Sequence, residues 1–143
     1  MTHTGRDEIV EVVNKLFIYT DMQEWEKLQD EVFSNKVFFD MSSLGGKKEE
    51  ITSQEICTMW QNGFKGIDSI NHLAGNYLLS IDNNRSSVFA YATAIHYKES
   101  AKNGKTREFI GTYDINLMKH ESSWRIYRFK YTLKFMTGNI DLT

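Results

Sequence analysis

Ser87-Val88-Phe89-Ala90-Tyr91-Ala92-Thr93-Ala94-Ile95-His96-Tyr97 is the stretch on which the fold turns. Side chains of a β-strand point alternately to opposite faces, so Ala90, Ala92, Ala94 and His96 share one face, and Phe89, Tyr91, Ile95 and Tyr97 share the other. The small side chains leave room beneath the strand for packed helices or a ligand. The large ones on the opposite face are costly to leave in water, which predicts a sheet-to-sheet homodimer covering them.

Working outward, the same period of two appears in Ile70 to Asp82, Thr106 to Lys119 and Trp124 to Phe135, which with Ser87 to Glu99 make four β-prone runs. Asp82-Asn83-Asn84, Lys102-Asn103-Gly104 and His120-Glu121-Ser122 separate them and are hairpin turns by composition. Upstream the period lengthens to that of a helix. From Arg6 to Thr20, residues Ile9, Val13, Leu16, Phe17 and Thr20 form one buried stripe. Asp21-Met22-Gln23-Glu24 then places an aspartate cap before a glutamate at the third helical position, and Trp25, Leu28 and Val32 supply the inner face of a second helix. Val37-Phe38-Phe39 is a short strand ending at Asp40, and Ser42 to Gly46 with Lys47 to Glu50 is an exposed loop. Thr52-Ser53-Gln54-Glu55 is a capping box that opens a third helix carrying Ile56, Met59, Trp60 and Phe64 on one face. The order predicts an α+β fold, three N-terminal helices over one face of a curved, mainly antiparallel sheet, in a single domain spanning residues 1–143.

Composition narrows the function classes. The chain has 143 residues, 41% of them hydrophobic and 25% charged, enough apolar content for one core. A net charge of −2 and the lack of any basic run give no field for a polyanion, so nucleic acid is not an expected partner. The apolar runs are too short to span a bilayer, and Met1 to Arg6 has no secretory apolar segment, so no membrane is expected and the location predicted is cytoplasmic. The single cysteine, Cys57, cannot form an internal disulfide and is expected to be a core or helix-surface thiol and not a nucleophile.

Several words in this order resemble a known family: Tyr19-Thr20-Asp21 with Glu24-Trp25-Glu26, Phe39-Asp40, Asn71-His72-Leu73, Ala94-Ile95-His96, Gly111-Thr112-Tyr113 and Ser123-Trp124-Arg125-Ile126. Together they resemble SnoaL-like proteins of the nuclear transport factor 2-like superfamily (cystatin-like cone folds). That group includes polyketide cyclases, scytalone dehydratase and small subunits of ring-hydroxylating dioxygenases. The resemblance implies a cone around a small-molecule pocket that works without metal or organic cofactor on a small apolar ligand. This superfold hosts enzymes and non-catalytic subunits alike.

The same resemblance implies that Asp21 and His72 form an acid–base pair. A carboxylate holding one ring nitrogen sets the tautomer and leaves the other nitrogen to move a proton. Each residue also has a plainer reading: Asp21 as a helix cap, and His72, sharing a strand face with Ala74, Asn76 and Leu78, as a core histidine satisfied by a backbone carbonyl or by Asp21. His96 matches a histidine that reaches substrate through water in the dehydratase; otherwise it sits at a sheet edge. Two tyrosines that orient substrate there correspond to Thr20 and Met41 here, and an asparagine corresponds to Tyr113. The expected ligand-contacting residues are therefore Tyr19, Met41, Trp60, His96 and Tyr113, with Tyr19 and Tyr113 as hydroxyl donors or packed rings. Asp21, His72 and His96 also make a formal two-imidazole, one-carboxylate set, but no closely spaced histidine pair supports a metal.

Overall fold

Helix α1 (Gly5–Asp21) begins at a reciprocal cap, where the Asp7 N–H donates to the Thr4 hydroxyl at 3.1 Å and the Thr4 N–H donates to the Asp7 carboxylate at 3.0 Å. The computed structural model describes residues 4–143, so Met1 to His3, half of the stretch searched for a secretory segment, lie outside the described residues. Ile9, Val13, Leu16, Phe17 and Thr20 are all buried on one side of α1, as their spacing predicts. The helix stops because Gln23 takes a left-handed φ of 56°, and the Glu24 N–H donates back to the Tyr19 carbonyl at 2.8 Å.

Here the expected cap is corrected. Asp21 is the last residue of α1 and not the first cap of the next helix, whose N-cap Glu24 makes no side-chain capping bond. Helix α2 (Trp25–Lys27) is one turn long and runs into a π-helical turn, Leu28–Val32, that buries Leu28 and Val32. Helix α3 (Ser53–Gly63) starts at Thr52, whose hydroxyl accepts the Glu55 N–H at 3.1 Å.

The strands are β1 (Phe33–Asp40), β2 (Lys48–Thr52), β3 (Ser69–Asp82), β4 (Arg85–Tyr97), β5 (Thr106–His120) and β6 (Ser123–Gly138). They form one six-stranded sheet in the order β2-β1-β6-β5-β4-β3, antiparallel throughout except where β1 lies parallel to β6. The four long strands are the four runs read from the sequence. The segment read as loop from Lys47 to Glu50 is largely strand β2, reached through a 3-10 turn at Ser42–Leu44. It escapes a pattern reading because it is an edge strand whose Lys48, Glu49 and Glu50 stay in water, as edge strands often do.

One bulge changes which side chains face inward. Gly75 pairs with Tyr91 and Leu78 with Phe89, so Asn76, at φ 57°, and Tyr77 together stand opposite Ala90. A one-residue slip flips every later side chain. Leu78, expected on the face of His72, is therefore on the outer face and 72% exposed. The inner face carries Ala90, Ala92, Ala94 and His96, all buried against the helices. Phe39, Phe129 and Trp60 pack with ring centroids 5.3 to 6.0 Å apart and join the end of the sheet to α3.

Candidate active site

Helix α1 delivers a carboxylate to the sheet at its C-terminal residue, Asp21. A negative charge at that end of a helix opposes the macrodipole, so it needs partners elsewhere. It finds both on one residue of β3. One Asp21 oxygen accepts the His72 backbone N–H at 2.8 Å, and the other lies 2.5 Å from His72 Nδ1. An ionised carboxylate only accepts, so Nδ1 carries the proton in this contact, and a neutral ring then has its lone pair on Nε2. Phe17 stacks on the His72 ring with centroids 5.5 Å apart.

Beside this pair lies a cavity of about 170 Å³. Leu16, Phe17 and Thr20 of α1, Met41 and Leu44 of the β1–β2 connection, and Trp60 and Phe64 around the end of α3 form its helix side. The sheet contributes His72, Ala92, Ala94, His96, Phe109, Tyr113, Phe129 and Tyr131. The lining is apolar apart from the two imidazoles, the two phenols and Thr20. The Thr20 hydroxyl donates to the Leu16 carbonyl at 2.6 Å, so its proton stays in the helix.

His96 is not at a sheet edge. It lies on β4, between β3 and β5, 7% exposed, edge-on to Phe64 and against Phe109. Its Nδ1 accepts a hydrogen bond from Arg107 Nε at 3.1 Å. Burial, then the charges of Arg107 and His72, bring its pKa down to about 4, so the ring is neutral at physiological pH.

Tyr113 is fully enclosed, with Phe17 5.1 Å and Tyr131 4.9 Å from its ring centre. Burial first, then Tyr131 and Asp21, push its phenol far above the ordinary range, so it can donate a proton in a hydrogen bond but not act as a base. Burial pushes Tyr131 up to about 12, and its hydroxyl has no hydrogen-bond partner among the described residues. The structure thus brings Met41, Trp60, His72, His96 and Tyr113 together around one space, with Asp21 behind His72. Tyr19 is the correction: its hydroxyl donates to Glu31 at 3.2 Å, beside the Lys15–Glu31 ion pair, and it does not line the cavity. It follows Ile18 on the helix flank, one position off the buried stripe that Leu16, Phe17 and Thr20 define.

The sequence reading missed Tyr131, Phe109, Phe129 and Arg107. Tyr131 had a signal, since it alternates with Phe129 on the strand paired to Tyr113. Arg107 had none, because a charged residue at the start of a strand reads as solvated. Cys57 is a core thiol, donating to the Trp25 carbonyl at 3.6 Å and pushed up to about 11 by burial, which makes it unreactive near neutrality. Among the described residues no group of three His, Cys, Asp or Glu side chains converges, and no helix is long and apolar enough to cross a membrane.

Residues 2–130 match the SnoaL-like domain. The chain belongs to the SnoaL-like family. Its helices over a mostly antiparallel sheet share their fold with a Streptomyces avermitilis protein of the NTF2-like family. This SnoaL-like protein is similar to Kfla4162 of Kribbella flavida, at 21% identity over 96% of this chain and 95% of that one, with a TM-score of 0.89. It is also similar to a Novosphingobium aromaticivorans protein provisionally called a scytalone dehydratase (16% identity, 91% and 84% covered, TM-score 0.74). A third is the hexachlorocyclohexane dehydrochlorinase LinA-type3 of Novosphingobium barchaimii (10% identity, 93% and 88% covered, TM-score 0.76). At these identities the likeness is one of fold. No curated protein matches the sequence.

Proposed function

We propose that this SnoaL-like protein is a lyase or isomerase, working without a cofactor, that moves a proton on a small, mostly apolar carbonyl compound. The observation that carries the reading is the Asp21–His72 contact at the wall of an apolar cavity. In it His72 Nε2 is the base that takes a proton beside the carbonyl, and Asp21 holds the tautomer and stabilises the imidazolium. Tyr113 or His96 donates to the oxygen as it gains charge. Two structures of this fold bear the names of a dehydratase and a dehydrochlorinase, names that denote eliminations, and this supports the class. The test is exchange of α-protons with deuterium from solvent in a panel of monocyclic ketones, followed by NMR. Exchange that depends on His72 supports the reading. Exchange unchanged in His72→Ala, or abolished by a chelator, overturns it.

A second reading is a non-catalytic ligand-binding or scaffold module, or the partner subunit of a larger enzyme. It is favoured by Met41 and Thr20, one apolar and the other with its hydroxyl committed to Leu16, where the resemblance places substrate-orienting tyrosines. Binding of the same ketones without exchange decides for it.

We further propose that the chain is one domain, works in the cytoplasm, and pairs as a homodimer through the outer sheet face. Tyr91, 45% exposed, stands there with Leu73, Leu78 and Phe135, at 75%, 72% and 53%. Sedimentation showing only monomer at tens of micromolar would remove the dimer.

A further inference from the structure

Two histidines face the same cavity, and each has its Nδ1 engaged by a partner of opposite kind. His72 meets a carboxylate, which can only accept; His96 meets a guanidinium, which can only donate. We propose that Arg107 is a positioning residue that locks His96 as the Nε2–H tautomer, so that this ring offers a hydrogen-bond donor, never a base, to an oxygen acceptor bound in the cavity.

The argument begins with register. His96 on β4 pairs directly with Arg107 on β5, which puts both side chains on the inner face. The Arg107 Nε–H points at His96 Nδ1 from 3.1 Å, and an arginine keeps its protons at any physiological pH. Nδ1 must therefore present its lone pair, and a neutral ring then carries its single proton on Nε2. Arg107 is itself held. Its Nη1 donates to the Ile140 carbonyl at 2.9 Å, and its guanidinium lies over the Phe109 ring, 5.4 Å from the centre. Ile140 lies beyond residues 2–130, the stretch that matches the family. The imidazole is clamped between Phe64, 5.6 Å away, and Phe109, 5.0 Å away. Nε2 has no hydrogen-bond partner among the described residues, and the ring lines the cavity.

The charges around the ring agree. Arg107 on β5 and His72 on β3 both oppose a second proton on His96, while Asp141 acts on Arg107. Among the described residues no carboxylate acts on His96 itself. A donor facing an apolar space of about 170 Å³ selects one chemical class: a compound about the size of a single six-membered ring, bearing one carbonyl or similar oxygen. A ligand cation is disfavoured. The inference rests on the cavity being the ligand site, as under the proposed function, but not on turnover.

The test needs no substrate. Nitrogen-15 NMR of the histidine rings in the full chain at pH 7 reads the tautomer of His96, and cyclohexanone against methylenecyclohexane reads the donor. The expected result is a neutral His96 with Nε2–H in the wild type and a mixture of tautomers in Arg107→Met. Cyclohexanone binding should weaken by about 2- to 10-fold in that variant, the worth of one hydrogen bond, with the hydrocarbon unaffected. Arg107→Gln, which keeps an N–H donor, should restore both. A wild-type His96 protonated on Nδ1, a tautomer unchanged in Arg107→Met, or equal weakening of both ligands would each overturn the proposal. The wild-type spectrum decides even if Arg107→Met fails to fold. A normal His96 spectrum with no His72-dependent exchange would leave Arg107 in its place and sink only the proton-transfer reading.

Discussion

Adjacent strands β3 and β4 set the same side chain against opposite partners, and the difference lies one atom outside the ring. On β3 His72 Nδ1 meets the Asp21 carboxylate; on β4 His96 Nδ1 meets the Arg107 guanidinium. Both imidazoles are Nδ1-bonded, yet on the proposed assignment a neutral His72 offers a lone pair at Nε2 and His96 an N–H. A histidine's function is thus set by the residue behind it.

The strongest attempt to break the comparison is His72→Ala. It should reduce ketone α-proton exchange by roughly 10²–10⁴-fold, the usual worth of a positioned acid–base group, with an unchanged melting temperature as the control for folding. Asp21→Asn tests the same contact more subtly. An amide turned to donate to Nδ1 would make His72 a copy of His96, a donor with no lone pair at Nε2, so exchange should fall by about as much as in His72→Ala or by less. Because Asp21 is not the cap of α2, this variant should not unwind α2; far-ultraviolet circular dichroism checks that.

The third prediction sharpens the contrast through pH. The His96 pKa is lowered to about 4 in the fold, against about 6.5 when unfolded. Between those values the unfolded chain holds the extra proton, so stability rises with pH and is lost as pH falls from about 6.5 toward 4. The full loss is at most about 3.4 kcal/mol, from 1.36 kcal/mol per unit. Urea unfolding at pH 7, 5.5 and 4.5 should show that slope, and His96→Gln should flatten it. The Asp40 carboxyl, held below its ordinary range by the Ser42 hydroxyl and N–H, loses its share only at lower pH.

The smallest expected effect concerns Tyr131, whose buried hydroxyl has no partner among the described residues. Tyr131→Phe removes a buried polar group that has been desolvated without return, so it should raise stability by about 1 kcal/mol, read as a higher urea midpoint. A drop instead would mean that the hydroxyl is already satisfied.

Much of this was legible in the residues. The period of two from Ile70 onward, the helical stripe of α1 and the Thr52 cap each depend on neighbours close in sequence, and each stands where it was read. The failures share one cause. β2 looked like loop because its charges sit at a sheet edge, and Leu78 was put on the wrong face because a bulge at Asn76 shifts the register. Asp21 was assigned to the helix after it when it ends the one before, and Tyr19 was turned inward when its hydroxyl goes to Glu31.

By itself, the sequence determined the class of the fold, the inner face of β4 and the identity of both histidines, since hydrophobic period and residue chemistry are local properties. Only the tertiary structure decided what each histidine can do. Asp21 and His72 are 51 residues apart. Arg107 meets His96 through the β4–β5 register and is anchored by Ile140 from the chain end. A proton's place on an imidazole depends on the donor or acceptor within about 3 Å, and that neighbour is chosen by folding.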